Sequence, residues 1–348
     1  MICDQNNHTF PKCRCLGFCP GRRHTVFVIR KHSVKPDKQS LLTRLGRERW
    51  LQCMALSGVL WMLVFNYAPM FGVLTAFKKN YRITEPLFSL AFFRSTWASS
   101  AGFQHFLAFF RDPEFLNILT NTLGISLLKL AISFPLPIVF ALLLNEVRSA
   151  RFKKYIQTIS YLPHFLSWVV LGGILSTWLA DTGFLNEVLI AFGILKEGKT
   201  WLAYPQYFWW IVVLSDVWKE LGWSAIIYLA AIAGIDQELY EAARVDGAGR
   251  FRQIISITLP SIRGTVSILF ILAVGSLLNS NFDQIFVLWN PLNSSRSTVI
   301  DIYTYNVAMK SLRFSYAAAI GLFKSVFAFM LLFIANQVTK RLNGVSLF

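Results

Sequence analysis

The sequence has 348 residues, 55% of them hydrophobic and 15% charged, with a formal net charge of +16. A soluble domain of this length cannot hide that much apolar surface, so the bilayer is the expected solvent. A large positive charge first suggests nucleic acid, but the basic residues cluster beside apolar runs, which argues against it.

The first 50 residues carry eleven Lys or Arg and are mostly polar. They do not read as a cleavable signal peptide, because no apolar run opens them. Cys3, Cys13, Cys15 and Cys19 lie there, at spacings that match no common zinc pattern. Residues 1–49 are therefore expected to form a basic, reduced, disordered cytoplasmic tail without a metal. A spanning helix needs about 20 mainly apolar residues. Six segments meet that requirement, at roughly 51–77, 116–144, 155–180, 207–234, 265–288 and 315–336. Cys53, in the first, reads as core.

Between the first two spans, "GFQHFLAFFRDPEF" has the spacing of an amphipathic interfacial helix, with Phe103, Phe106, Leu107 and Phe110 on one side. Pro135 and Pro137 predict a kink in the second span. The loop before the third span is short and basic. Placing the N-terminus inside puts 21 basic residues on the inner side against ten in the outer loops, so both termini are expected in the cytoplasm. The surplus charge then reads as topology and contact with anionic lipid. "GILKEGKT", Gly193 to Thr200, satisfies the formal phosphate-loop pattern. Such a loop needs a strand before it and a helix N-terminus after it. Its variable positions are bulky here, and Pro205 follows soon after. The match is dismissed as chance.

The stretch "EAARVDGAGRFRQIISITLP", residues 241–260, is different in kind. It starts like a helix, turns at Asp246–Gly247, resumes with Phe251, Ile254, Ile255 and Thr258 at helical spacing opposite Arg250 and Arg252, and stops at Pro260. Read from the residues alone, it is either an amphipathic loop on the headgroups or a rigid knob that another protein grips.

This stretch resembles the EAA loop of the membrane subunits of ABC importers. Glu241, Ala242, Ala243, Asp246, Gly247, Ala248, Ile257, Leu259 and Pro260 match its pattern. Ile254 stands where Phe is usual, and Gly264 where a further Pro is common. The segments "NYAPMFGVLTAFK", "NTLGISLLKLAISFPLPIVFALLLNE", "FDQIFVLWNP" and "YAAAIGLFKSVFAFMLLFIANQVTKRL" look like a subgroup associated with polysaccharide and oligosaccharide uptake, alginate-type importers among them. The resemblance runs from about Trp50 onward.

It implies an all-α membrane protein of the type I ABC importer permease fold. Six transmembrane helices over 50–348 would have both ends inside, and the 235–263 loop would form the cytoplasmic coupling helices. The implied partners are a second similar permease, two ATPase subunits, an extracytoplasmic binding protein, an oligosaccharide and membrane lipid, with no nucleic acid. ATP-Mg would sit on the ATPase subunits, leaving this chain with no cofactor, no metal and no catalytic residue. Glu241 and Asp246 are expected to serve the knob itself, since acids favour a helix N-terminus; direct pairing with a base on the ATPase is the alternative.

Polar residues at membrane depth often line a path. The candidates are Asn121, Lys129, His164, Asp216, Lys219, Glu220, Asn279, Asn281, Asp283 and Lys324, with Trp218, Trp223 and Trp289 as surfaces for a sugar ring. An acidic sugar would suit Lys129 or Lys324; alternatively Lys129 pairs with a carboxylate of the partner permease. Adjacent Lys219 and Glu220 are expected to find separate partners. Rival readings keep the architecture with a peptide or amino-acid cargo, or make the chain an ATP-independent carrier, which leaves 241–260 unexplained.

Overall fold

The computed structural model describes residues 49–81, 90–100 and 102–344. The expected tail over 1–49, with its four cysteines, lies outside the described residues except at Arg49. The chain divides into two units, the first ending at Met62 and the second starting at Leu63. In the first, helix α1 (Arg49–Met62) exposes Trp50, Met54, Leu56 and Trp61. Cys53 is exposed on it rather than held in a core.

The second unit is helical, with a single isolated antiparallel bridge, Lys78 to Trp97, among the described residues. Its main helices are α2 (Gln104–Phe110), α3 (Phe115–Ser133), α4 (Pro135–Glu146), α5 (Ala150–Tyr161), α6 (Trp168–Trp178), α7 (Phe184–Ala191) and α8 (Pro205–Ala233). There follow α9 (Gln237–Val245), α10 (Arg250–Gln253), α11 (Leu259–Gly275), α12 (Phe282–Leu288), α13 (Ile300–Tyr305) and α14 (Phe314–Asn343). Among the described residues, four helical stretches are long and apolar enough to cross a membrane: Trp50–Phe77, Phe115–Glu146, Arg250–Gly275 and Phe314–Leu342.

The remaining two expected spans take other forms. The third, at 155–180, is a bent pair, with Ala150–Phe165 and Trp168–Trp178 meeting at 99°. Pro163 lies in the short 3₁₀ turn that ends the first arm, and Ser167 accepts from the Val170 amide to start the second. The fourth, α8, has 29 residues but carries Asp216, Lys219 and Glu220 near its centre and so misses the apolarity criterion. The fifth is displaced. Rather than occupying 265–288, the helix starts at Arg250 and ends at Gly275; Asn281, at φ +53, then starts the separate α12.

Pro260 explains the irregularity inside that fifth stretch. Its missing N–H removes one rung of the ladder, and a π-helical turn, Ile254–Thr258, joins α10 to α11. The extra residue shifts the helical register. Phe251 and Ile255 consequently stay exposed while Thr258 is buried, splitting the single face expected from spacing. In the second span, Pro135 and Pro137 interrupt the helix at Phe134 between α3 and α4.

Helix α8 is the hub. One buried cluster joins Ile125 of α3, Phe208 and Val212 of α8, Ile285 and Leu288 of α12 and Ile302 of α13. Another, toward the 235–263 loop, joins Ala141 of α4, Ala225, Tyr228 and Ile232 of α8 and Ile262 of α11. In lipid, apolar burial supplies little net drive, so close packing and interhelical hydrogen bonds decide the arrangement. Gly222 permits a close approach between helices: a Cβ there would stand 2.2 Å from the Ser160 carbonyl oxygen. That brings α5 against α8.

The 102–115 segment forms α2, with His105 and Phe109 buried and Phe103, Leu107 and Phe110 exposed. Three of the four residues expected on the apolar outer side face outward, while Phe106 is half-buried against Phe77. Lys78, counted among the loop cations, is 1% exposed. Its Nζ donates to the Ser95 carbonyl at 3.0 Å and lies 4.1 Å from the Trp97 ring centroid. That charge fastens a loop.

Candidate functional site

Two features carry functional chemistry: a capped knob at 235–263 and a mainly apolar cavity with charged side chains on its wall. In the knob, Asp236 caps α9 by accepting from the Glu238 amide at 3.0 Å. The helix closes in a Schellman motif. The Ala248 amide donates to the Ala243 carbonyl at 2.8 Å, and the Gly247 amide to the Arg244 carbonyl at 3.1 Å. Gly247 takes φ +76, the left-handed conformation this closure needs. Gln253 Nε2 donates to the Ala248 carbonyl at 2.8 Å, and Tyr240 and Thr258 hydroxyls meet at 2.9 Å. Those bonds hold the two halves at a fixed angle.

Of the residues singled out in this stretch, Ala242, Ala243, Gly247 and Ala248 lie at the turn side of α9. Ile257, Leu259 and Pro260 lie in the helix that follows. Glu241 stands mid-helix and Asp246 at the C-cap, so neither serves a helix N-terminus; Asp236 fills that place. Val245 and Phe251 are 88% and 75% exposed, leaving two large apolar side chains unpartnered beside the turn. Arg250 reaches Glu146 at 3.7 Å, linking the knob to the end of α4.

The cavity, of about 420 Å³, lies among α3, α4, α8 and α11. Ser126, Lys129 and Ser133 come from one side, and Asp216, Glu220, Trp223 and Tyr228 from α8. Asn279 joins them from the chain beyond α11. Lys129 Nζ lies 2.9 Å from Asp216 Oδ1 and 2.8 Å from Gln284 Oε1. It pairs within its own chain, and the carboxylate of a partner permease is not needed.

Gln284, which sequence reasoning missed, is fully buried and donates to the Val212 carbonyl and to Ser215 Oγ. It looked like one more polar residue in "FDQIFVLWNP". Only the α12–α8 packing reveals it.

Beside the cavity, His164 Nδ1 lies 2.8 Å from Glu220 Oε2, and its ring stacks on Trp223 with centroids 4.3 Å apart and planes 1° apart. Lys219 Nζ donates to the His164 carbonyl at 2.5 Å and stands 3.4 Å from Glu220 Oε1. Lys219 and Glu220 thus share partners, contrary to the expectation of separate ones. The bend at 162–167 is what delivers His164 to both.

The other candidates lie elsewhere. Asn121 donates to the Ser295 and Thr298 carbonyls and ties α3 to the loop before α13. Lys324 is held by Asp301 Oδ1 at 2.5 Å. Asn281 is a backbone hinge, Asp283 is exposed in the first turn of α12, and Trp218 packs near Trp178. Trp289 lies under Lys310, 5.2 Å from its ring centroid. None of these residues lines the cavity. The 193–200 turn follows helix α7, not a strand, in keeping with its dismissal as a phosphate loop.

A helical bundle with several apolar stretches long enough to cross a membrane, a cavity lined in part by charged side chains and an exposed, capped knob has the build of a transporter's membrane subunit. The chain belongs to the family described as binding-protein-dependent transport system inner membrane component, whose model matches residues 133–344. Protein LplB of Bacillus subtilis (strain 168) is 42% identical over 310 residues, covering 89% of this chain and 94% of that one. The polygalacturonan/rhamnogalacturonan transport system permease protein YteP of the same organism is 40% identical, covering 90% and 95%. Among solved structures, a chain of the bacterial alginate ABC transporter in complex with alginate pentasaccharide-bound periplasmic protein superposes with a TM-score of 0.79 at 35% identity. It covers 89% of this chain and 100% of that one. The fold is that of a type I ABC importer permease.

Proposed function

We propose that this chain is one of two membrane subunits of an ATP-driven importer that moves an oligosaccharide delivered by an extracytoplasmic binding protein. The observation that carries this reading is the knob: a capped, internally bonded two-helix turn that presents Val245 and Phe251 to solvent. Such a surface fits a groove on a separate ATPase subunit. ATP-driven closure of two ATPases would pull the knobs together, and the helix running without a break from Arg250 to Gly275 would carry that movement into the membrane. ATP-Mg belongs to the ATPase subunits, and this chain is a conduit with no catalytic role. The sugar assignment draws support from the cargo named for YteP and for the alginate importers.

The topology has six spans, with both termini and the knob in the cytoplasm. At ~1.5 Å per residue, α8 is about 43 Å long, enough to cross. Its charged trio is compensated by Lys129, His164 and its own Lys219–Glu220 pair. The test is co-purification of the ATPase from detergent extracts, wild type against Gly247→Arg. A wild type that brings down no ATPase would sink the proposal.

A further inference from the structure

We infer that the cavity among α3, α4, α8 and α11 is a subsite for an uncharged sugar unit, and that this half of the transporter disfavours a uronate there, in contrast to the acidic alginate named for the solved importer. The inference rests on the importer reading.

Three observations support it. First, no cation is left to greet a carboxylate. Lys129, the only basic residue lining the cavity among the described residues, is taken up by Asp216 and Gln284. Lys219 is committed to the His164 carbonyl and Glu220, and Lys324 is bound to Asp301 away from the cavity. The acids Asp216 and Glu220 both line the cavity, so a uronate would meet negative neighbours there. The expectation that Lys129 or Lys324 serves an acidic sugar is thereby withdrawn.

Second, the unsatisfied side-chain groups that line the cavity are hydroxyls. Ser126 Oγ and Ser133 Oγ both line the cavity, are buried, and have no hydrogen-bond partner. They lie two turns apart on one face of α3, with Lys129 between them. A buried hydroxyl without a partner is costly, and a sugar hydroxyl supplies both donor and acceptor. Third, Trp223 lines the same cavity, its ring braced by the parallel His164 ring at 4.3 Å. An indole held still is a platform for the apolar C–H face of a pyranose.

The test measures equilibrium binding to the assembled importer complex, purified without its extracytoplasmic partner so that delivery does not set the selectivity. The probes are neutral trisaccharides of gluco, galacto and xylo configuration and their uronate counterparts, followed by titration calorimetry. Neutral probes are expected to bind more tightly. Ser126→Ala and Ser133→Ala should each weaken them by about two- to tenfold. Asp216→Asn, which releases the charge on Lys129, should narrow or reverse the preference against uronates. Because that variant also breaks an ion pair, the serine variants carry the decision if it fails to fold. Tighter binding of uronates by wild type, or silence of both serine variants, overturns the subsite. Absence of all sugar binding in a complex that still retains its ATPase also overturns it while leaving an importer standing. Absence of both sugar binding and ATPase would instead bring down the importer reading itself.

Discussion

Lys129 Nζ and Asp216 Oδ1 lie 2.9 Å apart, joining helices α3 and α8 across 87 residues of sequence with side chains 16% and 14% exposed. Each charge makes the other tolerable at that depth. Removing one leaves a poorly solvated ion, whereas removing both leaves none. Lys129→Met is therefore expected to destabilise the chain by about 3 kcal/mol, and the double variant Lys129→Met/Asp216→Leu to regain most of that loss. Detergent unfolding midpoints across the four-member cycle check this. Losses that simply add would refute the coupling.

Gly247 has a left-handed backbone but open space around it, with nothing within 4 Å of where a Cβ would stand. A substitution there is penalised through φ rather than through collision, at about 1 kcal/mol for an ordinary side chain. ATPase retention should fall in the order Gly, Asn, Ala, Val, since Asn tolerates this conformation and β-branched residues do not. A graded pull-down would show it. If Val binds as well as Asn, the Schellman closure is not what positions the knob.

Gly222 and Gly264 are predicted to respond in opposite directions. At Gly222 a side chain meets the Ser160 backbone at 2.2 Å, while at Gly264, inside α11, nothing stands within 4 Å. Gly222→Ala should force α5 from α8 and cost transport as well as stability. Gly264→Ala should stabilise the helix by about 0.5–1 kcal/mol. Thermal midpoints of the two purified variants, read side by side, decide the matter.

Asp112, ahead of α3, accepts from the Tyr303 hydroxyl at 2.5 Å, the Tyr316 hydroxyl at 3.0 Å and the Glu114 amide at 3.0 Å. Burial pushes its pKa up, but these bonds and the Arg313 charge outweigh it, and the net result lies below the ordinary 3.8. For Tyr303, burial and then the bond to Asp112 push the phenol well above its usual range. A depressed carboxyl pKa stabilises the fold above the unfolded value, and that contribution is lost as pH falls through the folded one. Wild type should thus outlast Asp112→Asn at neutral pH, with the gap closing below about pH 4. Melting curves between neutral and acid pH test the sign. A gap that widens on acidification contradicts it.

Much of this was legible in the chain. The apolar run lengths announced a multi-pass helical protein, and Pro135, Pro163 and Pro260 each mark a real irregularity. The 241–260 pattern located the knob, because caps, turns and helical spacing are local properties that a linear sequence states openly. What local reading mistook was phase and length. The π-turn before Pro260 rotated the second half of the knob, and the fifth helical stretch began at Arg250, fifteen residues earlier than apolarity suggested.

The pairing of charges was not legible at all. From the sequence, Lys129, Asp216, Lys219, Glu220 and Lys324 were equivalent candidates for touching cargo, since each is costly at membrane depth. Only packing decided that Lys129 meets Asp216, that the bend at 162–167 carries His164 to Glu220 and Trp223, and that Lys324 is committed to Asp301. The sequence determined the solvent, the helices and the knob, because hydropathy and capping act within a few residues. Tertiary structure decided which polar groups satisfy one another and which, Ser126 and Ser133 among them, still face a cavity without a partner. That division follows from the low-dielectric interior, where a polar group's role is set by its nearest neighbour in space.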